Sequence, residues 1–205
     1  MLISFEEAHS ALSDHFPRLW SVVDGGWRDY EVKMPADVKA LASARSRASL
    51  VHDFMIKRAH DMADACNGVK VVKHRLMSAL VFQSAHGFIA MRLKKLDEDG
   101  VSRNNPTKQV LDFKNQIEIP AIAAHHHLEI GYILNKPQDS ISSIELVCPS
   151  GNKVYWMAEV TPAVVSENLF NLWEHRGEEE QQSTGFTVKR RRIDADENDA
   201  ENGTN

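Results

Sequence analysis

The residues of this chain with the clearest chemical potential are histidines and aspartates that stand next to one another. They are the run His125–His127 and the pairs His52-Asp53 and His60-Asp61, with Asp64 one turn after the second pair. Imidazole and carboxylate groups bind metal ions and transfer protons, so such residues are typical of metal-dependent hydrolases and nucleases.

The spacing of these residues argues against one metal site. Neighbouring residues of a strand point to opposite faces, so only His125 and His127 are able to share an ion. The two His-Asp pairs lie eight residues apart on a predicted helix, which separates them by about 80° around its axis. We therefore expect no metal, no cofactor and no catalytic residue, and a metal-dependent hydrolase or nuclease remains an alternative.

The basic residues of the segment Phe88–Leu96 offer a second kind of chemistry. Apolar residues at 89, 91 and 93 alternate with Ala90, Arg92 and Lys94. A period of two predicts a strand with one face in the core. The pattern predicts that Arg92 and Lys94 lie side by side on the solvent-exposed face.

A partner- or phosphate-binding patch is predicted around this strand. Its members are Arg92, Lys94, Lys95, Arg103 and Lys108. Cations, amides and a helix N-terminus together bind phosphates. The alternative is that these charged side chains only keep an exposed face of the sheet hydrated and bind no partner.

A second basic motif lies in the C-terminal tail and consists of Lys189, Arg190, Arg191 and Arg192. Runs of this kind are typical of nuclear-localisation signals and of nucleic-acid contacts. The acidic residues that follow would compete for the same cations. An equal alternative is a flexible charged tail that adjusts the solubility of the protein or binds a partner.

Composition and charge restrict the functional classes. The chain has 205 residues, of which 42% are hydrophobic and 26% are charged. Residues 1–176 carry 20 basic and 21 acidic side chains, whereas the remaining residues have a net charge of −4. A protein that coats DNA would show a positive excess, so the composition favours a protein partner slightly over nucleic acid.

Several sequence signals are not found. No apolar run approaches the roughly 20 residues that a membrane helix needs, and the start MLISFEEAHS has no basic region of a secretory signal. Two cysteines are too few for a disulfide framework. No phosphate-binding or dinucleotide-binding fingerprint occurs. We expect a cytoplasmic protein without membrane contact.

The elements that would position these residues predict an α+β fold with an antiparallel β-meander. We expect one domain over 1–176, helical over 1–68, mainly strands over 69–160, and a C-terminal helix over 161–176 that begins at Thr161-Pro162. A helix of about 30 residues after Pro35 would pack on the sheet or form a homodimer. The tail 177–205 has little apolar content, which predicts disorder.

The local boundaries follow from turn and capping residues. A first helix breaks at Pro17 and ends at Gly25-Gly26, and Thr107 caps a helix over 108–115. Strands are predicted over 69–74, 80–85, 88–96, 127–134, 141–148 and 153–160.

Part of the chain resembles a group of bacterial proteins of unknown activity. The sequences RLKKLDEDGVSRNNPTKQVLDFKNQ, LEIGYIL and KVYWMAEV carry this resemblance, which covers Phe88–Val160. The group is associated with mobile-element, phage and toxin–antitoxin-like gene neighbourhoods. The resemblance implies a cytoplasmic protein with a defence, counter-defence or antitoxin-like role, and it transfers no catalytic residue. Our leading hypothesis is a non-enzymatic binding protein that engages a macromolecular partner through the basic strand.

Overall fold

A seven-stranded sheet with five α-helices forms the fold, as seen in a computed structural model that describes residues 2–75, 77–103, 105–162 and 186–191. The helices are α1 (Phe5–Leu12), α2 (Phe16–Lys33), α3 (Ala36–Leu41), α4 (Ala44–Asp64) and α5 (Lys108–Lys114), with a 3₁₀ turn at Ser13–His15. The strands are β1 (Val69–His74), β2 (Met77–Ser84), β3 (Gly87–Lys95), β4 (His126–Leu134), β5 (Ile141–Ser150), β6 (Lys153–Pro162) and β7 (Phe186–Arg191). The predicted α+β class is confirmed.

The strands lie in the sheet in the order in which they occur in the sequence. Every neighbouring pair is antiparallel except β3 and β4, which are parallel. The predicted meander is confirmed over β4, β5 and β6, where short turns connect the strands.

Helices α1, α2 and α4 cover one face of the sheet. Buried residues of α2 and α4, such as Trp27 and Met55, pack in one cluster with Met91, Ile130 and Trp156 of the strands. The Trp156 indole donates a hydrogen bond of 2.9 Å to the carbonyl oxygen of Ile3. This bond ties the start of the described chain to β6.

The helical part differs from the sequence prediction at two positions. Helix α2 continues through Gly25 and Gly26, where a break was expected. A side chain at Gly26 would collide with the backbone and side chain of Met55, so the glycine permits close packing of α2 against α4. The predicted long helix is divided into α3 and α4, because Ser43 accepts a hydrogen bond from the Ser46 amide and starts a new helix.

The opposite face of the sheet is covered by the connection between β3 and β4. Parallel neighbours need a crossover connection, which must pass over one face of the sheet. Residues 96–125 form this crossover and contain α5. Phe113, Ile119 and Ile122 of the crossover are buried against Val81 and Ala90. The central strands are therefore buried on both faces.

The C-terminal part also differs from the prediction. Thr161 and Pro162 end β6 instead of starting a helix, and the remainder of the predicted helix, 163–176, lies outside the described residues. Six residues of the tail, Phe186–Arg191, form β7, so the expected disorder of 177–205 does not hold for them. The other residues of the tail lie outside the described part.

Candidate functional site

Arg92 lies inside the protein, so the prediction that its side chain faces solvent is wrong. The residue is 4% exposed, and its Nη1 atom lies 3.4 Å from Oε1 of Glu129, which is 1% exposed. The guanidinium carbon lies 5.0 Å from the centre of the Phe113 ring. Burial lowers the pKa of Arg92, and the charge of Glu129 opposes that shift. The cause of the burial is α5, which the parallel crossover places over this face of β3.

A buried histidine extends this polar cluster. The His127 ring stacks on Phe113 with ring centres 4.5 Å apart, and its Nδ1 atom lies 3.1 Å from the Phe113 carbonyl oxygen. The Gln116 side-chain oxygen accepts a hydrogen bond of 2.8 Å from the backbone amide of His127. The Gln116 side-chain nitrogen donates to the carbonyl oxygens of His127 at 2.8 Å and of Pro149 at 3.0 Å. Burial lowers the pKa of His127, which favours the neutral ring. These contacts fix the crossover to the sheet.

The two lysines of β3 are only partly exposed. Burial is the main cause that lowers the pKa of Lys94 to about 7, and the neighbouring charge of Arg92 adds to it. Lys95 lies on the opposite face, where its ammonium is 3.5 Å from Gln138 Oε1. That oxygen also accepts a bond of 2.9 Å from Arg47. The two lysines therefore do not form one basic surface.

The remaining members of the predicted patch are exposed but paired. Arg103 and Lys108 have side chains that are 87% and 88% exposed. Arg103 lies 3.3 Å from Asp97, and Lys108 lies 2.7 Å from Asp112. Because Arg92 is buried and the lysines of β3 point to opposite faces, the predicted continuous patch is not formed.

The histidines and aspartates that suggested a metal do not converge. His125 is exposed, stacks on Phe88 and accepts a hydrogen bond from the Phe88 amide, whereas His127 is buried. On α4, Asp53, His60 and Asp61 are exposed. In the part of the chain that the structure describes, no group of three or more His, Cys, Asp or Glu side chains is placed to hold a metal ion.

Strand β7 places the basic motif of the tail on the sheet. It runs antiparallel to β6, with Phe186 opposite Pro162 and Arg191 opposite Met157. Lys189 and Arg190 are exposed. The outer edge of β7 has no partner strand within the described ranges. The fourth residue of the motif, Arg192, lies outside those ranges.

Arg191 anchors β7 through two carboxylates. Its Nη2 atom lies 2.8 Å from Glu145 Oε1 and 3.2 Å from Glu159 Oε2. Glu145 is 0% exposed, and burial raises its pKa, while the neighbouring Ser143 side chain and the charge of Arg191 oppose that shift. Neither carboxylate was among the site residues predicted from the sequence. In each case the sequence signal was a glutamate between two apolar residues of a predicted strand.

A shallow cleft of about 400 Å³ lies next to Arg191. It is lined by Glu98, Asn135, Lys136 and Ser143 together with apolar atoms of Ile133 and Leu134. This lining holds no pairing of a nucleophile with a histidine base, so the cleft does not indicate acyl-transfer chemistry.

No helix among the described residues has the length and apolar character required to cross a membrane. Comparison of the chain with known protein families, curated proteins and solved structures finds no match.

Proposed function

We propose that this chain is a non-enzymatic binding protein that engages a macromolecular partner through β7, and that the partner is a protein. The observation that carries the proposal is the position of the basic motif. Lys189 and Arg190 are exposed on an edge strand, and Arg191 holds that strand in the sheet.

An edge strand of this kind has two means of recognition. Its outer backbone N–H and C=O groups are able to pair with an extended segment of another chain, which is a common mode of peptide recognition. Exposed cations beside that edge favour an acidic segment, because complementary charges accelerate encounter and exclude wrong partners. The cations of β3 do not contribute, since Arg92 is buried.

The biological setting of the proposal comes from the resemblance of Phe88–Val160 to proteins of mobile-element, phage and toxin–antitoxin-like neighbourhoods. We place the protein in a bacterial or phage conflict system, in the cytoplasm, with a defence, counter-defence or antitoxin-like role. No membrane contact is part of the proposal. A homodimer through α4 is compatible with the proposal but is not needed for it.

Affinity capture from native cells tests this function. The full chain is compared with a Lys189→Gln/Arg190→Gln variant, which removes two charges without placing a new carboxylate opposite Glu159. The matched control is Arg103→Gln/Lys108→Gln, which removes two exposed charges elsewhere. We expect the β7 variant to lose the partner and the control to retain it. Equal capture by both variants would contradict a β7 interface.

Nucleic acid is the second candidate partner, and consecutive cations in one exposed strand favour it. The same capture with nuclease-treated extract separates the two, because a protein complex survives the treatment and a nucleic-acid tether does not. Binding to phosphates would also weaken steeply with salt. A filter-binding assay without affinity at about 50 mM salt would reject this candidate.

A further inference from the structure

The edge of β6 that receives β7 has three features of a peptide-binding site. It supplies a backbone ladder of six residue pairs from Met157↔Arg191 to Pro162↔Phe186. On one face of the sheet, Val188 packs against the main apolar core. On the other face, Glu145 and Glu159 receive the guanidinium of Arg191.

We propose that the β6 edge is an acceptor site for an extended peptide with a β-branched residue and, three positions later, an arginine. The resident occupant is the chain's own segment Phe186–Arg191. This inference goes beyond the proposed function, because it concerns the edge of β6 that pairs with β7 and not the outer backbone edge of β7.

The spacing between the two specificity residues follows from strand geometry. Successive side chains alternate between the faces of a sheet, so residues three positions apart point to opposite faces. Val188 therefore reaches the core while Arg191 reaches the carboxylates. A peptide with these residues two or four positions apart would place only one of them correctly.

Arginine is the side chain that suits the two carboxylates. A guanidinium keeps its charge beside a buried group, whereas an ammonium readily loses its proton when it is buried. One Arg191 nitrogen lies within 3.2 Å of both Glu145 and Glu159. An occupant without this arginine would leave Glu145, which is fully buried, without the cation that Arg191 supplies, and such a buried charge is costly.

The resident strand competes with any other occupant as part of the same chain. The segment Phe186–Arg191 belongs to the same chain as β6, so it is a tethered occupant of the β6 edge. A tethered ligand acts at an effective concentration of roughly millimolar. A free peptide at micromolar concentration therefore reaches the β6 edge only when the resident strand is weakened.

Binding of a fluorescent peptide with the sequence GFTVKRRR to the full-length protein tests the proposal. Three chains are compared: the wild type, a Val188→Asp/Arg191→Ala variant with a weakened resident strand, and an Arg190→Ala control. Arg190 is exposed on the other side of β7 from Arg191, so the control keeps the strand docked. We expect the weakened variant to bind at least about tenfold more tightly than the wild type or the control.

Two peptides of equal charge test the specificity. One has alanine at the position of Arg191 and the other has alanine at the position of Arg190. We expect the first to bind the weakened variant at least about tenfold less tightly than the second. The same two peptides are also compared on an Arg191→Ala single variant, whose fold is checked by near-ultraviolet circular dichroism. This variant gives the same ranking if the double substitution disturbs the fold.

Either of two results would overturn the inference. Equal affinity of the peptide for all three chains would show that β7 does not occupy the acceptor site. Equal weakening of the two alanine peptides would show charge attraction without a strand register. The Lys189→Gln/Arg190→Gln variant keeps Val188, Arg191 and the carboxylates of the acceptor site. Loss of the partner in this variant, together with an unchanged ranking of the two alanine peptides, would therefore separate the two proposals.

Discussion

Strands β3 and β7 both carry neighbouring cations, yet they place them in opposite environments. Arg92 of β3 is 4% exposed and is paired with a carboxylate, whereas Lys189 and Arg190 of β7 are exposed. Alternation along a strand determines which residues share a face. The position of the strand in the sheet, and the connection that leaves it, determine whether that face meets water.

The two strands also differ in how their arginines are stabilised. Arg92 and Glu129 are both withdrawn from water, so their pairing must offset a large desolvation cost. Arg191 keeps a side chain that is 42% exposed while its partner Glu145 is fully buried. The first pair is fixed in a covered layer, and the second pair joins an edge strand to the rest of the sheet.

The largest effect is expected for Arg92→Ala. This change leaves Glu129 buried without its partner, which should reduce the free energy of unfolding by about 3–5 kcal/mol. Urea denaturation measures the loss, and Lys189→Ala, at an exposed site, should stay within about 0.5 kcal/mol of wild type. An Arg92→Met/Glu129→Leu double variant should recover most of the loss. A cost below about 1 kcal/mol for Arg92→Ala would contradict a buried ion pair.

A second effect concerns the titration of Lys94, the other cation of this face of β3. Its pKa is lowered to about 7 from 10.5, mainly by burial. Between these two values the unfolded chain binds a proton at Lys94 and the folded protein does not. The free energy of unfolding is therefore highest above pH 10.5 and decreases as the pH falls towards about 7. Lys94→Met removes this loss, so the variant should gain stability relative to wild type over that range.

Urea denaturation of the wild type and of Lys94→Met at several pH values measures this difference. A Lys189→Met variant, at an exposed lysine of β7, is the matched control. A constant stability difference between wild type and Lys94→Met from pH 10.5 to about 7 would contradict the burial of Lys94.

A smaller effect is expected for the pair that holds β7. A double-mutant cycle with Arg191→Ala and Glu145→Gln should give a coupling free energy of about 1 kcal/mol, reduced by the exposure of the arginine. The matched cycle with Arg190→Ala should give about zero, since that side chain points away from Glu145. Equal coupling in both cycles would mean that the motif acts only through its total charge.

Much of the local structure was predictable from the sequence. Thr107 caps α5 by accepting a hydrogen bond of 3.3 Å from the Val110 amide, as its position before the helix predicts. Turn residues at 135–140 predict the connection between β4 and β5, and those at 149–152 predict the turn after β5 two residues early, since β5 continues through Ser150. These features depend on residues close in sequence, which a pattern records directly.

The environment of Arg92 was not predictable from alternation alone. It depends on α5 and on Glu129, which lie far from Arg92 in the chain. A signal was present, however, since about thirty residues with a helix separate β3 from β4, and such a connection is typical of a parallel pair.

Strand β7 was missed for a different reason. The average composition of the tail favours disorder, but Phe186, Thr187 and Val188 are residues that favour strands. Averaging over the whole tail hid this short segment. Its docking also depends on Glu145, which is a distant residue.

The central claim is that β7 is part of the sheet and presents the basic motif from there. Amide hydrogen exchange of the full-length protein, resolved by residue with nuclear magnetic resonance, tests it most directly. We predict that alternate amides of Phe186–Arg191 exchange slowly, because every second N–H group points towards β6. Exchange of all these amides at the rate of an unstructured peptide would contradict the claim.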